Sequence, residues 1–174
     1  VGLSAEELIQ LAETPCEEPV LKTAFLFSCL TGLRKSDVKA FSWEMIQPEA
    51  DGTLYITTRM QKTKQIVHNP IGEEALALID SDSRMGLVFP GFKDSMTQTA
   101  LKQWIKAAGI TKNITYHSSR HTYCTLQLEA GTDSRTVQEL VGHKNLATTQ
   151  CYLDSVSSRK KEAANRITLK RKEE

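Results

Sequence analysis

The loop Thr31-Gly32-Leu33-Arg34-Lys35-Ser36-Asp37 sets an arginine directly behind a helix-ending glycine and ahead of a new helix, so rigid elements hold it on both sides. A fixed guanidinium is a bidentate ligand for an oxyanion. The plainer alternative is a surface arginine paired with Asp37. In Tyr116-His117-Ser118-Ser119-Arg120-His121-Thr122, Arg120 follows His117 by three residues and His121 follows it by four, so all three can share one helical face. A His and an Arg together grip an anion; a satisfied structural His fits as well. The His-x3-His spacing also suits a helical zinc pair, but the glutamate of HExxH is missing and no acidic or cysteine third ligand lies nearby, which argues against a metal. The stretch Val141-Gly142-His143-Lys144-Asn145 continues to Cys151-Tyr152. In one unbroken helix His143 and Tyr152 would face opposite ways, nine residues being about 180° of turn. Gly142 and Asn145 predict a break that lets the two side chains converge, although a lone Tyr before Leu153 also reads as a core or rim residue.

Other chemistries find no support. Cys124 and Cys151 have no neighbouring base to activate them and read as small buried hydrophobes. The sequence has no GxxxxGK[ST], GxGxxG or GxSxG, so nucleotide hydrolysis, dinucleotide binding and α/β-hydrolase chemistry lack their signatures.

Helices and a small sheet must position these groups. Ser4-Ala5-Glu6-Glu7 has capping-box spacing and predicts a helix over 5–13, ended near Pro15. Residues 19–31 are apolar nearly all round and predict a buried helix closed by Gly32. A short helix fits 35–41. The pattern then changes to the β-branched alternation Thr53-Leu54-Tyr55-Ile56-Thr57-Thr58 after the turn signal Asp51-Gly52. Gln65 to Pro70 forms a second strand, Phe41 to Gln47 is a candidate third, and Gln61 to Lys64 falls at a hairpin tip. Helical patterns resume at 72–80, 95–108, 117–130, 134–142, 146–153 and 156–167. The class is mainly α with one small antiparallel sheet (α+β), in one compact domain.

The chain has 174 residues, 22 Lys+Arg, 21 Asp+Glu and 40% apolar residues, the composition of an ordinary globular domain that needs neither disulfide nor metal to fold. Its net charge of +1 argues against a strongly basic nucleic-acid arm. The charge is graded, however. Residues 1–50 hold 4 basic and 8 acidic residues, 51–109 hold 7 and 6, and 110–174 hold 11 and 7, so an anionic partner is expected at the C-terminal third. Cysteines at 16, 29, 124 and 151 form no CxxC and predict reduced thiols in a cytoplasmic protein. No apolar run reaches a membrane span of about 18 residues, and Val1-Gly2-Leu3-Ser4 has no signal-peptide character. Without an initiator Met the chain reads as an excised piece.

The order of the motifs carries more than each alone. Thr-Gly-Leu-Arg-x-Ser-Asp at 31–37, Lys-Thr at 62–63, His-x-x-Arg-His-Thr at 117–122, Gly-His at 142–143 and Tyr152 together resemble the catalytic domain of the tyrosine recombinases. These are the site-specific DNA recombinases and integrases of phages, conjugative transposons and chromosome-dimer resolution systems. The resemblance spans essentially all of 1–174 and implies the recombinase catalytic fold, similar to the type IB topoisomerase core. It implies Arg34 and Arg120 as the phosphate-clamping arginines, Asp37 as support for Arg34, Lys62 as general acid with Lys64 as competitor, His117 as base, His143 as a phosphate ligand and Tyr152 as nucleophile. It implies double-stranded DNA at a specific site as partner, a tetramer on synapsed DNA, a weakly associating or monomeric state for this piece alone, and no metal or other cofactor. A helical DNA-clamping domain is expected before Val1. Residues 155–174, rich in Lys and Arg, read either as a solvated, fraying helix or as a tail exchanged between protomers. The other readings are a type IB topoisomerase-like relaxing enzyme and a non-catalytic DNA-binding integrase relative.

Overall fold

The computed structural model describes residues 1–59, 61, 62, 64, 66–141 and 159–171. Helix α1 (Ala5–Glu13) starts at a full capping box, in which Ser4 and Glu7 each accept the other's backbone N–H. Helix α2 (Pro19–Thr31) begins on a proline and is buried along most of its length. It ends at Gly32, with φ of 78°. A Cβ there would lie 2.6 Å from the Tyr123 ring, so glycine serves both the left-handed turn and the close approach of a neighbouring helix.

That neighbour is α6 (Ser118–Glu129), which packs along α2. Phe25 of α2 meets Trp104 and Tyr116 edge-on, with centroids at 5.8 and 5.4 Å. Ser28 and the Tyr116 hydroxyl share a buried hydrogen bond of 2.8 Å. Helices α3 (Lys35–Ala40), α4 (Glu73–Leu78), α5 (Thr99–Ala107) and α7 (Ser134–Leu140) complete the shell.

Strands β1 (Ile46–Pro48), β2 (Leu54–Arg59) and β3 (Ile66–Pro70) form an antiparallel sheet in the order β1-β2-β3. Its register pairs Thr57 with His68 and Arg59 with Ile66. Ile56 and Val67 turn into the core while Thr57, Arg59, Ile66 and His68 stay exposed, the period-2 pattern of a half-buried sheet.

Two element expectations are corrected. Residues 41–47 are not one strand: Ser42 bridges Leu87, Trp43–Met45 winds into a 3₁₀ turn, and pairing with β2 starts only at Ile46. The helix expected over 95–108 breaks at Gln98 (φ −103°, ψ −95°) into a 3₁₀ turn, Asp94–Thr97, and α5.

Residues 159–171 pack against their own chain. Residues 159–164 are helical, Ala163 is fully buried, and its carbonyl accepts Gln127 Nε2 at 2.7 Å. A Cβ on Gly72 would collide with the Ala164 carbonyl. Glu74 takes both the Thr168 hydroxyl and the Leu169 N–H, at 2.7 and 2.8 Å. Ala163 and Ile167 are buried, while Glu162, Asn165, Arg166, Lys170 and Arg171 stay exposed.

Candidate active site

Gly32 ends α2 and Lys35 starts α3, so Arg34 sits between two helix termini. Its backbone N–H donates to Asp37 Oδ2 at 3.3 Å, while one terminal nitrogen of its guanidinium is buried with no hydrogen-bond partner. Asp37 is itself only 5% exposed and turns its other oxygen to the Gln61 N–H at 2.7 Å. One buried carboxylate thus joins the arginine loop to the β2–β3 hairpin tip.

Arg120 reaches the same place from α6. It is 7% exposed, and its two terminal nitrogens donate to the carbonyls of Gly32 at 2.8 Å and Val141 at 2.9 Å. These bonds tie together the loop before Arg34, helix α6 and the residue preceding Gly142-His143. Burial, and next the charge of Arg34, push the Arg120 pKa down from its ordinary range. A guanidinium remains protonated regardless.

His117 precedes the first turn of α6 and is exposed. Covering of part of its ring is the largest influence on its pKa, followed by the positive charges of Arg120, Arg34 and Lys62 and by His121, and all of them lower it below 6.5. The structure therefore gathers Arg34, Asp37, Lys62, His117 and Arg120 from separate parts of the sequence. The charges acting on His117 include Lys62, which lies exposed in the hairpin turn. Lys64 has φ of 60° and offers its carbonyl to Arg59 Nη1 at 2.8 Å. Among the described residues no ion pair joins a carboxylate to Arg34, Lys62, His117 or Arg120. His143 and Tyr152 lie outside the described residues.

Sequence reasoning missed the ties themselves: Asp37 to Gln61, Arg120 to two carbonyls, and Arg59 to Lys64. Each joins a side chain to a backbone group, and spacing carries no signal for such bonds. Among the described residues no cluster of His, Cys, Asp and Glu is suited to a metal, and no helix is long and apolar enough to cross a membrane.

The domain is thus mainly helical with a three-stranded sheet, and it gathers two arginines, a histidine and a hairpin lysine. The model of the phage integrase family matches residues 3–159, and the chain belongs to that family. Tyrosine recombinase XerC of Xanthomonas axonopodis pv. citri (strain 306) is 31% identical over 164 residues, covering 86% of this chain and 52% of that protein. Tyrosine recombinase XerD of Lacticaseibacillus casei is 33% identical over 135 residues, covering 70% of this chain and 46% of that protein. The chain thus spans about half the length of the curated relatives it matches.

The integrase from mycobacterium phage Brujita superposes with a TM-score of 0.75 at 24% identity, over 99% of this chain and 60% of that one. The lambda integrase catalytic core does so at 0.61 and 20% identity, over 84% of this chain and 95% of that one. These two likenesses establish the fold. Relatives and structural neighbours of this kind do not favour a topoisomerase reading.

Proposed function

We propose that this chain is the catalytic domain of a site-specific DNA recombinase, an integrase that cleaves and rejoins strands through a 3′-phosphotyrosine. The observation that carries the reading is the gathering of Arg34, Arg120, Lys62 and His117 around one buried carboxylate, Asp37, with no ion pair from a carboxylate to any of the four among the described residues. A phosphodiester is already anionic, so attack on it needs charge neutralised on the non-bridging oxygens, which fixed guanidiniums do well. Arg34 and Arg120 take that role, the first with a buried nitrogen unpartnered and the second aimed by its two carbonyls. Asp37 holds the Arg34 loop.

Three of the four tyrosines, Tyr55, Tyr116 and Tyr123, are buried, and burial pushes the phenols of Tyr116 and Tyr123 upward. Tyr152 takes the nucleophile's role that the family resemblance implies. Its oxygen attacks phosphorus, its proton passes to His117, and the P–O5′ bond breaks as Lys62 protonates the departing oxygen. The lowered His117 pKa of the free protein favours the neutral imidazole that a base must present. His143 hydrogen-bonds a phosphate oxygen. One ester replaces another, so a 5′-hydroxyl from a partner strand can reverse the step with no added cofactor.

The relatives' names support recombination, and XerH, a site-specific recombinase solved in a post-cleavage complex with its palindromic difH substrate, shares the fold at a TM-score of 0.64; the substrate in this reading is a specific duplex DNA site. The full protein is read as working as a tetramer on synapsed DNA in a bacterial cytoplasm, within a mobile element such as a prophage or conjugative transposon. A nicked suicide substrate with the cognate site tests this. A denaturant-resistant protein–DNA adduct is expected with the full-length protein and is expected to vanish in Tyr152→Phe. An adduct persisting in that variant would overturn the assignment.

A further inference from the structure

We propose that Arg59 is a positioning residue for Lys62: by holding the Lys64 carbonyl it fixes the hairpin turn that aims the Lys62 ammonium at the departing 5′ oxygen. This inference rests on the reading of Lys62 as general acid.

Among the described residues, Arg59–Ile66 is the last pair of the β2–β3 ladder before the tip that carries Lys62. A lysine on an unrestrained turn samples many orientations, and each costs the proton transfer its geometry. Two bonds flank Lys62 instead. On one side the Gln61 N–H is held by the buried Asp37 at 2.7 Å. On the other the Lys64 carbonyl is held by Arg59 Nη1 at 2.8 Å.

The second bond opposes a local preference, because Lys64 stands at φ of 60°, a region disfavoured for any residue with a Cβ. Left alone, the turn would relax toward ordinary backbone angles and carry Lys62 with it. An arginine suits this position because its fork reaches across the hairpin, stays charged, and makes a charge-assisted bond to the carbonyl.

The test uses the full-length protein on its nicked cognate site, made once with an ordinary phosphodiester and once with a 5′-bridging phosphorothiolate. The sulfur leaves as a thiolate and needs no proton, so it bypasses the general acid. Arg59→Ala is expected to slow adduct formation about tenfold to a hundredfold on the ordinary substrate and to approach the wild-type rate on the thiolate. Affinity for the uncleaved site should stay within about twofold, and Arg59→Lys, which keeps a charged donor, should recover part of the rate.

Equal slowing on both substrates would overturn the proposal. So would weakened binding with a salt slope reduced by about one, the mark of a lost phosphate contact. Lys62→Ala separates the two levels. If the thiolate rescues Lys62→Ala but not Arg59→Ala, only the positioning role fails; if it rescues neither, the general-acid reading fails first.

Discussion

Arg171 lies between two carboxylates, Glu6 at 2.6 Å and Glu13 at 2.8 Å, whereas Arg34 forms no ion pair among the described residues and keeps a buried nitrogen without a partner. The contrast extends to their surroundings. In the C-terminal segment Lys161 pairs with Asp51 and Arg166 with Glu162, so each of these charges meets its opposite. At the candidate site Arg34 and Lys62 push His117 down and Arg34 does the same to Arg120, while Asp37, the nearby acid, gives its oxygens to backbone N–H groups. Opposite charges brought together by folding stabilise the fold. Like charges brought together oppose it; Asp37 offsets part of that, and an arriving anion offsets more.

The sharpest way to break this contrast is Arg34→Ala. Removing one of two transition-state ligands is expected to lower the rate of adduct formation by about 10² to 10³. The melting temperature should not fall, because the substitution relieves repulsion and severs no side-chain hydrogen bond among those described. A melting temperature lowered by several degrees would show that Arg34 has a structural partner, and the comparison would collapse.

The C-terminal half of the contrast is tested at Gly72. A Cβ there meets the Ala164 carbonyl, which is backbone and has no rotamer to escape into. Gly72→Val is expected to destabilise the domain by about 1 to 3 kcal/mol, as overpacking does. It should also speed proteolysis within 159–171. A variant with unchanged melting and protection would mean that the seat of this segment contributes nothing to stability.

Much of the fold is legible in the sequence, and the reasons differ by element. Helix α1 is readable because Ser4 and Glu7 stand at the spacing of a capping box, a purely local device. Gly32 marks the end of α2 because only glycine takes φ of 78° at no cost. The strand expected at 41–47 fails because Ser42 finds its partner at Leu87, far along the chain, and Trp43 turns away before pairing starts. At the site, residue types and order point to Arg34, Lys62, His117 and Arg120. What fastens them is hidden, since Asp37 and Arg59 act on backbone groups that every residue possesses. In the C-terminal segment the many Lys and Arg dominate the pattern, and the burial of Ala163 and Ile167 between them depends on partners far along the chain, such as Gln127.

The smallest effect is the most direct gauge of the uncompensated charge. Partial covering of the His117 ring, then Arg120, Arg34, Lys62 and His121, lower its folded pKa below the 6.5 expected for the unfolded chain. Between those two values the unfolded chain binds a proton that the folded one refuses. Stability is therefore fully present above about pH 6.5 and declines as pH falls through 6.5 to the lowered value. His117→Gln should flatten that part of the melting profile. An NMR titration of the His117 ring locates the cause. Arg34→Gln should raise its pKa back toward 6.5, and Arg171→Gln, whose cation already has Glu6 and Glu13, should leave it where it was. Saturating duplex DNA should raise it further than Arg34→Gln does, because phosphate opposes every cation in the cluster at once. If Arg34→Gln left the pKa unchanged, the lowering would belong to ring covering alone, and the candidate site would hold its cations no more tensely than the C-terminal segment holds Arg171.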